Sequence, residues 1–197
     1  MALCPLRLPG ALEARRRKIV AGALQRLPQV CGKPINLSFR PALTAHRGRL
    51  LSGVGRGREV HAATFLRKRR IVLDTELIED RRELVRILVH EMFHFVWLRL
   101  GNSRRRSFED LLRREMERGA RGELGWSAEI RKQALRPDER CSRSRRWREY
   151  LCESFCDTAA RLYSGARSHE EFTLAATFRR QRERWFRNAW GASAIPV

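Results

Sequence analysis

Hydrophobic and polar positions follow two rhythms along this chain, and the change between them falls near residue 75. Over residues 11–27, Leu12, Ile19, Ala23 and Leu27 form a stripe at helical spacing with arginines opposite, after Pro9-Gly10 and before Pro28. Residues 35–40, Ile-Asn-Leu-Ser-Phe-Arg, alternate strictly between apolar and polar, which predicts a half-buried strand. Residues 49–58 carry Leu50-Leu51 and then Gly53, Gly55 and Gly57. They are followed by another strand pattern and have no Lys-Ser/Thr ending, so they predict a hairpin or bulged strand and not a phosphate loop. Residues 60–66 and 70–74 predict two strands joined by the basic turn around Lys68, the second with the covered-strand run Ile71-Val72-Leu73.

From residue 80 the period becomes helical. Asp80 and Glu83 have capping-box spacing, and the body from Leu84 to Leu98 is apolar nearly all round, which predicts a helix running through the core. Gly101-Asn102 supplies its stop. Beyond it, Ser107 with Asp110 is expected to cap a segment to about Arg118, Ser127 to open one that Pro137 ends, and residues 137–146 to form a basic loop. Residues 147–164 predict a further helix ended by Gly165. Ser168 with Glu171 is expected to cap a long final helix to about Trp190, with a frayed tail after Gly191. The expected fold class is α+β: a small sheet of three to four strands packed on one buried helix, followed by a helical C-terminal half. The length suits a single domain over 1–197, with the first helix and the sheet in 1–75 and the buried helix and helical half in 76–197.

The buried helix is interrupted only by His90, Glu91 and His94, in the order His-Glu-Met-Phe-His. Positions i and i+4 share a helix face, so both imidazoles can point at one metal ion, and Glu91 can reach a water on that ion. Either histidine alone would read as an ordinary core histidine. Together with Glu91 they predict a zinc site. Catalytic zinc takes three protein ligands and leaves one position open. No histidine occurs between His94 and His169, so the third ligand is expected from a carboxylate further on. Residues 147–164 hold Glu153 and Asp157 at i,i+4 among apolar neighbours, where unpaired carboxylates would be very unfavourable. Glu153 is expected to bind zinc and Asp157 to accept a hydrogen bond from a ligating imidazole. Glu149, one turn earlier, is the fallback ligand. Tyr150, Tyr163 and His169 are candidate donors to an oxyanion, each with ordinary packing or surface as its competing explanation. His46 and His61 have no metal-binding spacing.

HExxH followed by E-x-x-x-D on a later helix is similar to the gluzincin group of zincin metallopeptidases, over about residues 70–165. The resemblance implies a zincin-like fold, zinc as cofactor and metallopeptidase activity, an endopeptidase before an exopeptidase. It implies His90, His94 and Glu153 as ligands, Glu91 as general base and Asp157 as the residue orienting an imidazole. It also implies a short strand before the motif helix whose edge holds an extended polypeptide substrate, residues 70–74 or their neighbour. The stretch from Arg70-Ile71-Val72-Leu73-Asp74 through His94, with Gly101 and Ser107-Phe108, also resembles SprT-like proteases, which act on DNA-bound proteins. Arginines stand where those proteins carry a third histidine, and no cysteine ribbon is present.

Composition changes the picture in two ways. Lys and Arg number 42 against 22 acids, a formal net charge of +20, which would draw nucleic acid or other polyanions to the surface. The basic residues are nearly all arginine and are spread over the chain, as a compositional bias would also produce, so nucleic acid is expected as an additional partner, and the alternative function is a nucleic-acid-binding regulator whose zinc site is structural or degenerate. The five cysteines form neither a disulfide framework nor a C-x-x-C pair. Cys152 and Cys156 lie at i,i+4 and could bind metal, but their alanine and aromatic neighbours favour small core residues. No apolar run is long enough to cross a bilayer and the N-terminus has no leader pattern, which together predict a cytoplasmic protein without a membrane partner.

Overall fold

The computed structural model describes residues 6–10, 12–47, 49–53, 57–140, 142–191 and 193–197. The sequence expectations for the first five residues, for Gly55 and for Cys4 and Cys141 lie outside the described residues. In chain order the elements are β1 (Leu6–Arg7), α1 (Ala14–Leu24), β2 (Val30–Cys31), β3 (Ile35–Arg40), β4 (Leu43–His46), β5 (Arg49–Ser52), β6 (Arg58–Glu59), β7 (Ala62–Phe65) and β8 (Arg70–Asp74). They are followed by α2 (Arg81–Arg99), α3 (Asn102–Glu117), α4 (Trp126–Gln133), α5 (Arg145–Tyr163), α6 (Ala176–Trp190) and β9 (Ile195–Pro196). The class is α+β, with the strands mainly before α2 and the helices after it. No helix among the described residues is long and apolar enough to cross a membrane.

The main sheet has the order β1-β3-β8-β7. Its first three strands run parallel and β7 runs antiparallel to β8, with Thr64 opposite Ile71. Strand β8 is interior and hydrogen-bonded on both sides, so the sheet edge next to it belongs to β7, as the opposite edge belongs to β1. β3 follows its alternation, burying Ile35 and Leu37. The glycine series flanks a second small sheet, β5-β4-β6, antiparallel throughout. Gly57 has φ +145°, and a Cβ there would meet the Ala45 carbonyl oxygen, so the position requires glycine.

α2 buries most of its apolar residues, including Leu84, Leu88, Val89, Met92, Phe93 and Val96, and exposes Leu98 near its end. Asp80 caps it, its Oδ1 accepting from the N–H groups of Arg82 (2.9 Å) and Glu83 (3.1 Å). Glu83 does not complete the capping box; it pairs with the buried Arg86. α5 packs along α2 and α6 closes the other side, where Phe93, Phe155, Phe186 and Trp190 form an aromatic cluster.

Three expected boundaries move. α3 begins at Asn102, directly after Gly101, so Ser107 lies inside it and accepts from Trp185 Nε1 at 3.0 Å. α6 begins at Ala176, because Glu171 is used elsewhere: it pairs with Arg86 at 3.0 Å and accepts from the Trp126 N–H at 3.0 Å. The tail is not frayed, since Ile195 and Pro196 pair in parallel with Val30 and Cys31.

Candidate metal centre

The packing of α2 on α5 sets the two histidines opposite two i,i+4 pairs of α5. His90 meets Glu153 and Asp157, and His94, one turn on, meets Cys152 and Cys156. His90 is held at both ring nitrogens: Nδ1 donates to Asp157 Oδ1 at 2.7 Å and Nε2 lies 3.3 Å from Glu153 Oε2. Asp157 Oδ2 accepts from the Ala128 N–H at 2.9 Å. That amide belongs to the first turn of α4, whose unpaired N–H groups and dipole favour a carboxylate. Gly125, the residue before α4, leaves the space Asp157 occupies, because a Cβ there would fall on the carboxylate.

His94 Nδ1 faces two sulfurs, Cys152 Sγ at 3.5 Å and Cys156 Sγ at 3.6 Å. On His90, Nδ1 is taken by Asp157 and Nε2 is the nitrogen available beside Glu153, whereas the Nδ1 of His94 faces the cysteines. His90, Glu91 and His94 each offer a ligand atom within 4.8 Å of the others, and so do His94, Cys152 and Cys156. Glu153 Oε1 pairs with Arg131 at 3.1 Å, which leaves Oε2 toward His90.

The titrations follow from this pairing. Burial opposes charge on His90, but Asp157 and Glu153 outweigh it and hold its pKa well above the ordinary imidazole value. Burial likewise opposes charge on His94, and Cys152 and Glu153 raise it to about 9. Burial pushes Glu153 up, yet its bond to His90 and the charges of His94, His90 and Arg131 bring it down to about 2. The Cys156 hydrogen bond, with His94 beside it, lowers Cys152 to about 6, while burial drives Cys156 well up. These shifts favour charged imidazoles beside the carboxylates and the Cys152 sulfur and keep Cys156 a thiol, so an incoming cation replaces protons.

One pair of the expected ligands stands at zinc spacing, while Glu153 belongs to neither of the two three-residue groups within 4.8 Å among the described residues. Ligands at about 2.0–2.2 Å in a tetrahedron are separated by about 3.4 Å, and His90 Nε2 and Glu153 Oε2 stand 3.3 Å apart.

Glu91 is 8% exposed and is held by the β7 edge: the Thr64 hydroxyl donates to its Oε2 at 2.5 Å. A cleft of about 560 Å³ lies alongside. Val60, His61 and Ala62 line it from the β7 segment, Ile87, His90 and Glu91 from α2, and Trp126 and Ser127 from α4. Arg58 stacks over Trp126 at 3.7 Å, spanning it. His94 and Glu153 are not part of its lining.

The other expected candidates fall outside. Glu149 pairs with Arg145 at 2.7 Å and its side chain is 45% exposed. Tyr150 is buried and donates to Glu123 at 2.6 Å, Tyr163 stacks on Phe93, and His169 sits 3.4 Å from Glu83. Residues that sequence reasoning missed are Thr64, Gly125, the Ala128 amide and Arg131, which act through contacts between distant segments. The cysteine pair did carry a signal, its i,i+4 spacing one residue out of step with Glu153 and Asp157. No protein-family model matches this chain, and neither does any curated protein or solved structure.

Proposed function

We propose that the chain is a zinc-dependent metallopeptidase of zincin-like architecture, with His90, His94 and Glu153 holding the ion and Glu91 as general base. One observation carries this reading: His90 is oriented by Asp157 and aimed at Glu153 while the adjacent Glu91 opens into the cleft. Zinc, when bound, would supply a Lewis acid that favours ionisation of water and stabilises negative charge on a carbonyl oxygen. Glu91 would take the proton of the attacking water and deliver it to the leaving amine. Thr64 keeps that carboxylate beside the cleft. The edge strand β7 offers main-chain hydrogen bonds to an extended polypeptide, the substrate this geometry favours. Glu91→Gln is expected to retain one zinc per chain and to lose cleavage of an unfolded protein substrate by about 100-fold or more. Wild-type cleavage by that variant overturns the reading.

A second property is supported by the surface between α3 and α6. Two adjoining depressions of about 550 and 450 Å³ share Arg114. Arg106 lines the first, and Arg118, Arg184 and Trp185 line the second; Asp110 and Glu117 are the acids among them. This strip suits a nucleic-acid backbone, as an additional contact for the same protein. Affinity for a mixed-sequence oligonucleotide should fall linearly on a log–log plot against salt, and the slope should flatten when Arg114 and Arg184 are changed to glutamate. An unchanged slope assigns the excess charge to solvated surface alone.

A further inference from the structure

The thiols beside His94 have the spacing of ligands. Cys152 Sγ and Cys156 Sγ stand 3.5 and 3.6 Å from one nitrogen, His94 Nδ1. All three atoms lie within 4.8 Å of one another. A tetrahedral ion with nitrogen at about 2.0–2.1 Å and sulfur at about 2.3 Å places nitrogen and sulfur about 3.5 Å apart. A hydrogen bond from Nδ1 accounts for one such sulfur, because the nitrogen carries one hydrogen. The second sulfur is tied in by the hydrogen bond between the two thiols, so without an ion hydrogen bonds hold the three atoms at the spacing an ion would take. Both sulfurs come from one face of α5, whose helical geometry keeps them together, and the third donor comes from α2 across a packed interface.

We propose that His94, Cys152 and Cys156 form a thiolate metal site for a thiophilic divalent ion, Zn²⁺ or Cd²⁺, with one position open. The site itself is independent of the hydrolytic reading; only its consequence for activity rests on that reading. Loading forms two metal–sulfur bonds and one metal–nitrogen bond, and the displaced thiol and imidazolium protons pass to solvent. A neutral imidazole has one lone-pair nitrogen, so His94 serves the cysteines through Nδ1 or the His90–Glu153 set through Nε2, not both at once. The two donor sets are therefore alternatives for one ion. An ion on the cysteines leaves Glu91 without a metal beside it, and thiophilic ions become inhibitors.

The test uses the full chain with one equivalent of Co²⁺, read by absorption, and with one equivalent of Zn²⁺, read by X-ray absorption. Expected are a sulfur-to-cobalt charge-transfer band and a zinc–sulfur shell at about 2.3 Å. The band should vanish in Cys152→Ser/Cys156→Ser and persist in Glu153→Gln. The zinc measurement on the unaltered chain needs no variant, so a misfolded double variant does not blunt the test. A band-free Co²⁺ complex with a nitrogen- and oxygen-only zinc shell overturns the site and reduces the thiols to hydrogen-bond partners of His94. If Glu91→Gln then still separates active from inactive protein, the peptidase reading stands without the thiolate site. The peptidase reading is tested separately on zinc-loaded Cys152→Ser/Cys156→Ser, where the ion has only the His90, His94 and Glu153 set: absence of cleavage there removes the peptidase reading and leaves the thiolate site standing.

Discussion

Replacing Asp157 by asparagine exchanges one carboxylate oxygen for an NH₂ group, although both oxygens accept here, one from His90 and one from the Ala128 amide. One of those donors would then face another donor. Loss of the acceptor on a ligating imidazole costs about 10–100-fold in metal affinity. Asp157→Asn is expected to lose that much zinc affinity in competition with a chelator, while the isolated protein stays folded. Glu153 makes a pH prediction. Its folded pKa of about 2 lies below the ordinary 4.5, so its contribution to stability is present above pH 4.5 and is lost as pH falls through about 2. In urea melts of the metal-free protein, the difference between wild type and Glu153→Gln should shrink across that window; a difference that grows toward low pH reverses the sign. At this scale the sequence was most legible, because the shared helix faces of His90 with His94 and of Glu153 with Asp157 are read from helical spacing alone. Thr64 and Arg131 were not legible, since nothing in the spacing says which side chains of β7 and α4 will reach the site.

At the scale of elements, α4 supports the centre without contributing a ligand, and it does so through its first turn. Gly125 leaves room for the Asp157 carboxylate at that turn. Gly125→Ala is expected to push Asp157 off His90 and to weaken zinc binding about 10-fold or more, although no ligand is altered. Unchanged affinity would mean that α4 shifts at no cost to the centre. The long helix α2 was legible because its cap, its apolar body and its stop are all local features. The starts of α3 and α6 were not. Polar residues with cap spacing, Ser168 and Glu171, had a stronger alternative in three dimensions: Glu171 satisfies a buried arginine, which outweighs one cap hydrogen bond. Strand β8 shows the same limit. Its apolar run predicts a covered strand, but only the pairing order shows that β7 is the edge strand beside it.

At the scale of the whole molecule, the helical half is anchored on Arg182 of α6, which is fully buried. It pairs with Glu115 at 2.7 Å and with Glu123 at 2.6 Å, and Ser154 and Thr158 complete its donors. These contacts join α3, the segment before α4, α5 and α6. Arg182→Met removes the cation and leaves the buried Glu115 carboxylate unpaired, while Glu123 keeps Lys132 and Tyr150, so a loss of about 3–5 kcal/mol is expected in denaturant unfolding. A change below about 1 kcal/mol would show that the carboxylate is neutralised at little cost. The same burial sharpens the charge asymmetry. Glu109, Glu115, Glu123, Glu139 and Asp157 are buried, so the exposed surface is depleted of acid while most arginines remain outside. The formal excess of 20 positive charges is therefore expressed almost wholly at the surface.

By itself the sequence determined the α+β class, the buried motif helix and the shared helix faces of His90 with His94 and of Glu153 with Asp157, because periodicity, caps and i,i+4 spacing are properties of short segments. Tertiary structure alone decided which partners each histidine nitrogen meets, that β7 is an edge strand and that the cysteine pair faces His94. Those facts depend on how α2, α4, α5 and β7 pack against one another, and packing between segments far apart in the chain leaves no local pattern to read.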